Sequence, residues 1–156
     1  MTAPRTAVRR TSRSPATTRA IGARLVAAAC PGDVIALGGP LGAGKTELAR
    51  GIARGLWVTE PVASPTFILV AEHAGRVPLF HVDCYRLAGA RDALAAGILD
   101  ERAADGVTVI EWAERLGAAL PAGRLDVAID GAGDEPRGLV LRATDPRHAI
   151  LLGALA

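Results

Sequence analysis

The stretch from Asp33 to Leu56 constrains the fold more than any other part of the chain. Asp33-Val34-Ile35-Ala36-Leu37-Gly38 reads as a buried strand, and Thr46 to Leu56, with Leu48, Ile52 and Leu56 on one face, reads as a helix. Between them lies Gly39-Pro40-Leu41-Gly42-Ala43-Gly44-Lys45-Thr46, which fits G-x-x-x-x-G-K-[ST] at every fixed position. Strand, glycine-rich loop and helix in that order place a curled backbone at a helix N-terminus, where N–H groups and the helix dipole favour phosphate. Lys45 is the only lysine; all other cationic side chains except the histidines are arginines. Lys45 has the compact charge that reaches the β- and γ-phosphates of a nucleotide, and Thr46 offers a hydroxyl to Mg²⁺. The expected nucleotide-binding residues are therefore Gly39, Pro40, Leu41, Gly42, Ala43, Gly44, Lys45 and Thr46, with Glu47 and Trp112 beside them.

A chain of 156 residues fits one domain with a sizeable core. The whole chain is expected to be a single domain, with residues 1–13 a partly flexible N-terminal segment leading into a short edge strand. No apolar run approaches the ~20 residues needed to span a bilayer, and the Arg-rich beginning lacks a signal-peptide core, so a cytoplasmic protein is expected. Cys30 and Cys84 stand far apart without metal-ligand spacing, and both are expected as buried thiols rather than a disulfide or a zinc site. A net charge of +2 is too balanced to predict direct nucleic-acid binding, although residues 1–24 hold arginines and no acid, which leaves indirect or weak contact with RNA open.

Ser14-Pro15 reads as a helix cap that begins a helix ending before Cys30-Pro31-Gly32. Strands are expected at Phe67 to Ala71 and Val77 to Val82, paired as a hairpin around Ala74-Gly75. A helical or broken-helical crossover over Arg91 to Ala104 then leads to the strand Val107 to Glu111. Ala113 to Leu120 reads as another helix, Leu125 to Ile129 and Leu139 to Leu141 as late strands, and Pro146 as the start of a final helix. The pattern predicts a three-layer α/β fold with a mixed, mostly parallel central sheet and ligands at the carboxyl ends of its strands.

Mg²⁺ needs hard oxygen ligands, and two acids follow apolar strands: Asp83 after Pro78 to Val82, and Glu111 after Val107 to Ile110. On neighbouring strands they can divide the work, one holding metal directly or through water and the other orienting an attacking water. Thr46, Glu111 and Asp83 are the candidate metal residues, and Lys45, Asp83, Glu111 and Thr66 the candidate catalytic ones. Thr66, in Ser64-Pro65-Thr66, is placed to read a terminal phosphate or to satisfy a strand entry. His81 is read as a support for the site, and Trp112 as either a base-stacking ring or a core aromatic.

Together the phosphate-loop pattern, Ser64-Pro65-Thr66-Phe67, His81-Val82-Asp83-Cys84-Tyr85-Arg86-Leu87 and Ile110-Glu111-Trp112 resemble the TsaE family of small bacterial ATPases. The resemblance runs from about residue 20 to about residue 130. It implies ATP and Mg²⁺ as cofactors, weak intrinsic ATPase activity, and association with TsaB and TsaD in threonylcarbamoyladenosine modification of transfer RNA. It implies further that Glu111 belongs to the magnesium site, that Asp83 is catalytically important, and that hydrolysis resets the partner complex between cycles. Pro40 and Glu47 depart from the residues common at those positions of the family. Two other functions share these residues: a small-molecule or nucleoside kinase, with Arg91 or Arg102 on a lid, and a nucleotide-dependent assembly module with negligible turnover.

Overall fold

The computed structural model describes residues 5–65, 69–87 and 101–155. Seven strands form one sheet: β1 Ala7–Ser12, β2 Val34–Gly38, β3 Val70–His73, β4 Leu79–Asp83, β5 Val107–Glu111, β6 Leu125–Asp130 and β7 Arg137–Ala143. Their spatial order is β1-β7-β6-β2-β5-β4-β3. The four central strands β6, β2, β5 and β4 are mutually parallel, β7 and β3 run against them, and β1, antiparallel to β7, runs with the majority. This is the mixed, mostly parallel α/β sheet that the sequence predicts. Strands β2, β4 and β5 are almost wholly buried, as parallel strands covered on both faces must be.

Alternate residues of those strands serve two cores. Ile35, Leu37, Leu79, Val107 and Val109 join helices α1 (Pro15–Leu25), α2 (Lys45–Gly55) and α3 (Pro146–Gly153) in one cluster. Val34, Ala36, Val82 and Ile110 join Leu116 and Leu87 in the other. With a side-chain period of two, positions 81, 83 and 111 therefore project to the face that α2 covers. That parity brings the strand-end acids to the phosphate loop.

Ser14 caps α1 by accepting from Thr17 N–H, and Asp145 caps α3 by accepting from His148 N–H, each followed by proline in the first turn. Two side chains moor α3 to the start of β2. Arg147 makes a two-pronged contact with buried Asp33, at 3.0 and 2.8 Å, and His148 Nε2 accepts from Val34 N–H at 3.0 Å. Because Nε2 accepts, the hydrogen of this imidazole sits on Nδ1 and donates to Asp145 Oδ1 at 2.8 Å.

Several elements differ from the sequence expectation. Residues 113–120 do not form an α-helix. Ala113–Ala119 is a 3-10 segment that breaks at Gly117, whose φ is +50°, and it starts from Trp112 in the left-handed region. The first strand of the hairpin lies at Val70–His73, and Thr66 to Ile68 lie outside the described residues. So does most of the expected crossover, 91–100 with Arg91; its end, Glu101–Asp105, is 3-10 helical. Of the N-terminal segment, residues 1–4 lie outside the described residues and Ala7–Ser12 is the edge strand β1. Cys30 is exposed, against the expectation of two buried thiols, because it stands in the surface turn between α1 and β2; Cys84 is buried. Among the described residues no helix is long and apolar enough to cross a membrane.

Helix α2 closes with paired bonds from Trp57 N–H to Arg54 O and from Val58 N–H to Ala53 O, both 3.0 Å, which puts Trp57 in the left-handed slot usually given to glycine. Its φ is +67° and its side chain is 71% exposed, so little packing offsets the strain. Left-handed backbone costs an L-residue roughly 1–2 kcal/mol. Glycine would remove that cost but return about 0.4–1 kcal/mol of unfolded-chain entropy. Trp57→Gly is therefore expected to stabilise the fold by about 0.5–1 kcal/mol, read as a higher urea midpoint at unchanged slope. An unchanged or lower midpoint would show that the indole makes stabilising contacts this geometry does not account for.

Candidate functional site

The phosphate loop leaves β2 and enters α2 through backbone that only glycine adopts freely. Gly39 has φ +141° and Gly44, the residue capping α2, has φ +113°. A Cβ on Gly39 would also collide with the carbonyl of Ile129 on β6. Unlike α1 and α3, α2 receives no side-chain cap. Its first-turn N–H groups are left open beside a cavity of about 600 Å³ lined by the loop, Ser64, Asp83, Tyr85, Glu111 and Trp112. An uncapped helix N-terminus facing a cavity is a place where an anion finds both donors and favourable potential.

Lys45 is almost completely buried. Its Nζ donates to Gly39 O at 2.6 Å and Pro40 O at 3.0 Å, and lies 3.9 Å from the centre of the Trp112 ring. Burial pushes its pKa below the ordinary lysine value, opposed by attraction to Glu111, Glu114 and Asp83. The ammonium is thus held by weak, exchangeable acceptors at the cavity wall. Trp112 itself packs against Tyr85, with ring centres 5.0 Å apart.

Asp83 and Glu111 end adjacent parallel strands in the same register pair, so both carboxylates stand at the carboxyl edge of the sheet on the α2 side. Glu111 Oε1 accepts from the Thr46 hydroxyl at 2.9 Å, and Glu111 Oε2 lies 2.5 Å from His81 Nε2. Asp83 accepts from the Ser64 hydroxyl and, through Oδ1, from Tyr85 N–H at 2.9 Å. The residues predicted for metal, Thr46, Glu111 and Asp83, are thereby brought to one cavity with Lys45. Thr66 lies outside the described residues.

Among the described residues no group of three or more His, Cys, Asp or Glu side chains could hold a metal ion unaided. The donors present, one hydroxyl and two strand-end carboxylates, suit magnesium, which keeps waters and completes its shell with substrate phosphates rather than filling an all-protein cage. Three carboxylates, counting Glu114, face one ammonium here. Such a balance favours a phosphate ligand that arrives with a divalent cation over a bare anion.

Glu47 lines the same cavity, with its carboxylate held by two arginines. Burial works to raise its pKa, but Arg19 and Arg50, each 2.5 Å from its carboxylate, overcome that and hold it below the ordinary range. Leu41 stands 77% exposed at the loop tip. Burial, with Asp83 and Glu114 adding to it, pushes the Cys84 thiol up to about 12, so it stays protonated near neutral pH and is no nucleophile.

Sequence reasoning missed Arg137. From β7, its guanidinium donates to Ala43 O at 3.1 Å and Gly42 O at 3.2 Å, and also to Gly133 O and Glu135 O. It ties the loop to the β6–β7 turn. Arg137 also lines a second cavity of about 360 Å³ on the other side of the loop, between the β1–α1 junction and that turn. Glu114, one turn beyond Glu111, was missed as well; only its spacing from Glu111 hinted at a shared location.

Comparison with known proteins agrees with this architecture. The family model described as "Threonylcarbamoyl adenosine biosynthesis protein TsaE" matches residues 12–139. The tRNA threonylcarbamoyladenosine biosynthesis protein TsaE of Bacillus subtilis is 39% identical over 144 residues, covering 92% of this chain and 90% of that protein. The protein of the same name from Streptomyces coelicolor is 40% identical over 139 residues, covering 86% and 89%. Among solved structures, the crystal structure of Bacillus subtilis YdiB superposes with a TM-score of 0.78 at 36% identity, covering 96% of this chain and 93% of that one. With a family model across most of its length and relatives aligned over nearly all of theirs, the chain belongs to the TsaE family of threonylcarbamoyl adenosine biosynthesis proteins.

Proposed function

We propose that this chain is a magnesium-dependent ATP hydrolase that binds TsaB and TsaD homologues and supports repeated rounds of threonylcarbamoyladenosine modification of transfer RNA. The observation that carries the reading is the conjunction at one cavity of an uncapped α2 N-terminus, the buried Lys45 ammonium, and Thr46 hydrogen-bonded to Glu111. Family membership supports the tRNA-modification context, and the resemblance of the motifs to that family supports TsaB and TsaD homologues as partners.

In this reading the loop from Gly39 to Thr46 wraps the phosphates with its N–H groups. Lys45 exchanges its two loop carbonyls for the β- and γ-phosphates, moving from one set of acceptors to a stronger one. Thr46 and Glu111 would hold Mg²⁺, with Asp83 close by. The metal, when bound, neutralises charge that develops on the phosphates during transfer. Asp83, already oriented by Ser64 and Tyr85 N–H, accepts a hydrogen from the attacking water and aligns it. Thr66, next to Ser64-Pro65 in sequence, is proposed to assist at the terminal phosphate. Trp112 stands over Lys45 as a wall of the cavity, and the second cavity, bordered by the same loop, is proposed to take the base and ribose.

The lid arginine that a kinase needs finds no support in Arg102, which pairs with Glu72 at 3.6 Å and is not among the residues lining the cavity. The reading is tested by counting inorganic phosphate against ATP consumed, by the chain alone and with its TsaB and TsaD homologues. A kinase would leave the phosphate on an acceptor instead.

A further inference from the structure

His81 is fully buried in the middle of β4, where an aliphatic side chain would bring no polar atom of its own to satisfy. Among the described residues, one of its ring nitrogens, Nδ1, has no hydrogen-bond partner. The other, Nε2, lies 2.5 Å from Glu111 Oε2, the only polar contact of the ring among the described residues. Interiors tolerate a half-satisfied imidazole only where the bond it does make matters, so the reason for this histidine lies in Glu111. Register explains the reach: His81 pairs with Val109 one step before Asp83 pairs with Glu111, and all four project to the α2 face. The second oxygen of Glu111 is occupied too, accepting from the Thr46 hydroxyl.

We propose that His81 is a positioning residue for Glu111. Its Nε2–H anchors Oε2 and thereby fixes the carboxylate plane, so that Oε1 is the oxygen presented to Thr46 and to the metal. The proposal rests on the magnesium-site reading above and adds to it an assignment of the two Glu111 oxygens, one structural and one metal-facing. Asp83 is oriented by separate donors, the Ser64 hydroxyl and Tyr85 N–H. A carboxylate fixed in advance binds metal more tightly than one that must be ordered on binding, and loss of such a supporting bond typically weakens metal affinity by about 10–100-fold.

The test compares the full chain with His81→Gln, whose amide can still donate to Oε2, and His81→Leu, which fills the space without a donor. Mn²⁺ binding to the ADP-loaded proteins is followed by electron paramagnetic resonance, and ADP affinity is measured separately in EDTA. The expected result is a loss of Mn²⁺ affinity of about 10–100-fold in the leucine variant, substantial recovery in the glutamine variant, and metal-free ADP affinity within about twofold of wild type in both. Wild-type Mn²⁺ affinity in the leucine variant would overturn the proposal, as would equal losses in both variants that extend to ADP binding in EDTA, the sign of a merely structural role. If the wild-type chain itself binds no Mn²⁺ with ADP, the magnesium-site reading fails and the metal-facing half of the assignment with it. The anchoring bond is tested apart from that reading by ¹⁵N NMR of the nucleotide-free chain: an Nε2–H tautomer supports it, and an Nδ1–H tautomer overturns it.

Discussion

Glu111→Gln is expected to lower magnesium-dependent ATP hydrolysis by about a hundredfold or more while the chain stays folded. Glutamine keeps the size and shape of the side chain, so the core around β5 has no cavity to collapse into, and its amide can still meet the Thr46 hydroxyl and His81. What it removes is the negative charge at the position proposed to face the metal. Metal-assisted charge stabilisation is worth several kcal/mol in the transition state, and each 1.36 kcal/mol is a factor of ten in rate. Release of inorganic phosphate under saturating MgATP measures the loss, and an unchanged thermal unfolding midpoint certifies the fold. A folded variant that turns over like wild type would remove Glu111 from the site.

Gly51→Ala is expected to cost about 3 kcal/mol of stability, although alanine is the better helix former by about 1 kcal/mol. Helices α1 and α2 meet along a seam of Gly22, Gly51 and Gly55. A Cβ on Gly51 would overlap the backbone of Arg19, and one on Gly22 would stand 2.6 Å from Leu48 O and 2.9 Å from Ile52 N. These are backbone atoms, which cannot rotate aside as a flexible side chain can, so the helices must separate. Because α2 carries Lys45 and Thr46 in its first turn, that separation also displaces the phosphate site, and a shift of about 1 Å there costs on the order of a hundredfold in rate. Denaturant unfolding of the variant beside wild type gives the stability loss. A domain of this kind has roughly 5–15 kcal/mol in all, so the effect is large; a difference under about 0.5 kcal/mol would mean the seam is looser than these contacts require.

The seam also shows where sequence stops being legible. Read locally, glycines at 51 and 55 only weaken a helix, and nothing in the pattern says that another backbone lies against them. The phosphate loop was legible because its chemistry is local: glycine conformations, a cation and a helix start follow one another in the chain. Asp83 and Glu111 were legible as strand-end acids, and their parity with buried residues implied a common face. Their register pairing, the anchoring of Glu111 by His81 and Thr46, and the Arg137 staple depend on strand order, which the chain does not spell out. Ala113 to Leu120 misled because its composition favours an α-helix, while the left-handed start at Trp112 and the break at Gly117 hold the backbone to 3-10 turns. Cys30 misled in the opposite way: the small apolar residues before it end in a turn that leaves it on the surface.

The central claim, that this loop and its two acids make an ATP-hydrolysing site working with TsaB and TsaD homologues, is tested most directly by magnesium-dependent phosphate release with and without those partners, alongside multiple-turnover tRNA modification. The account predicts one inorganic phosphate per ATP consumed, slow release by the chain alone, stimulation by the partners, and repeated modification only while ATP is hydrolysed. Phosphate that appears on a small-molecule acceptor instead, or modification that cycles at full rate with a hydrolysis-dead Glu111→Gln chain, would contradict it.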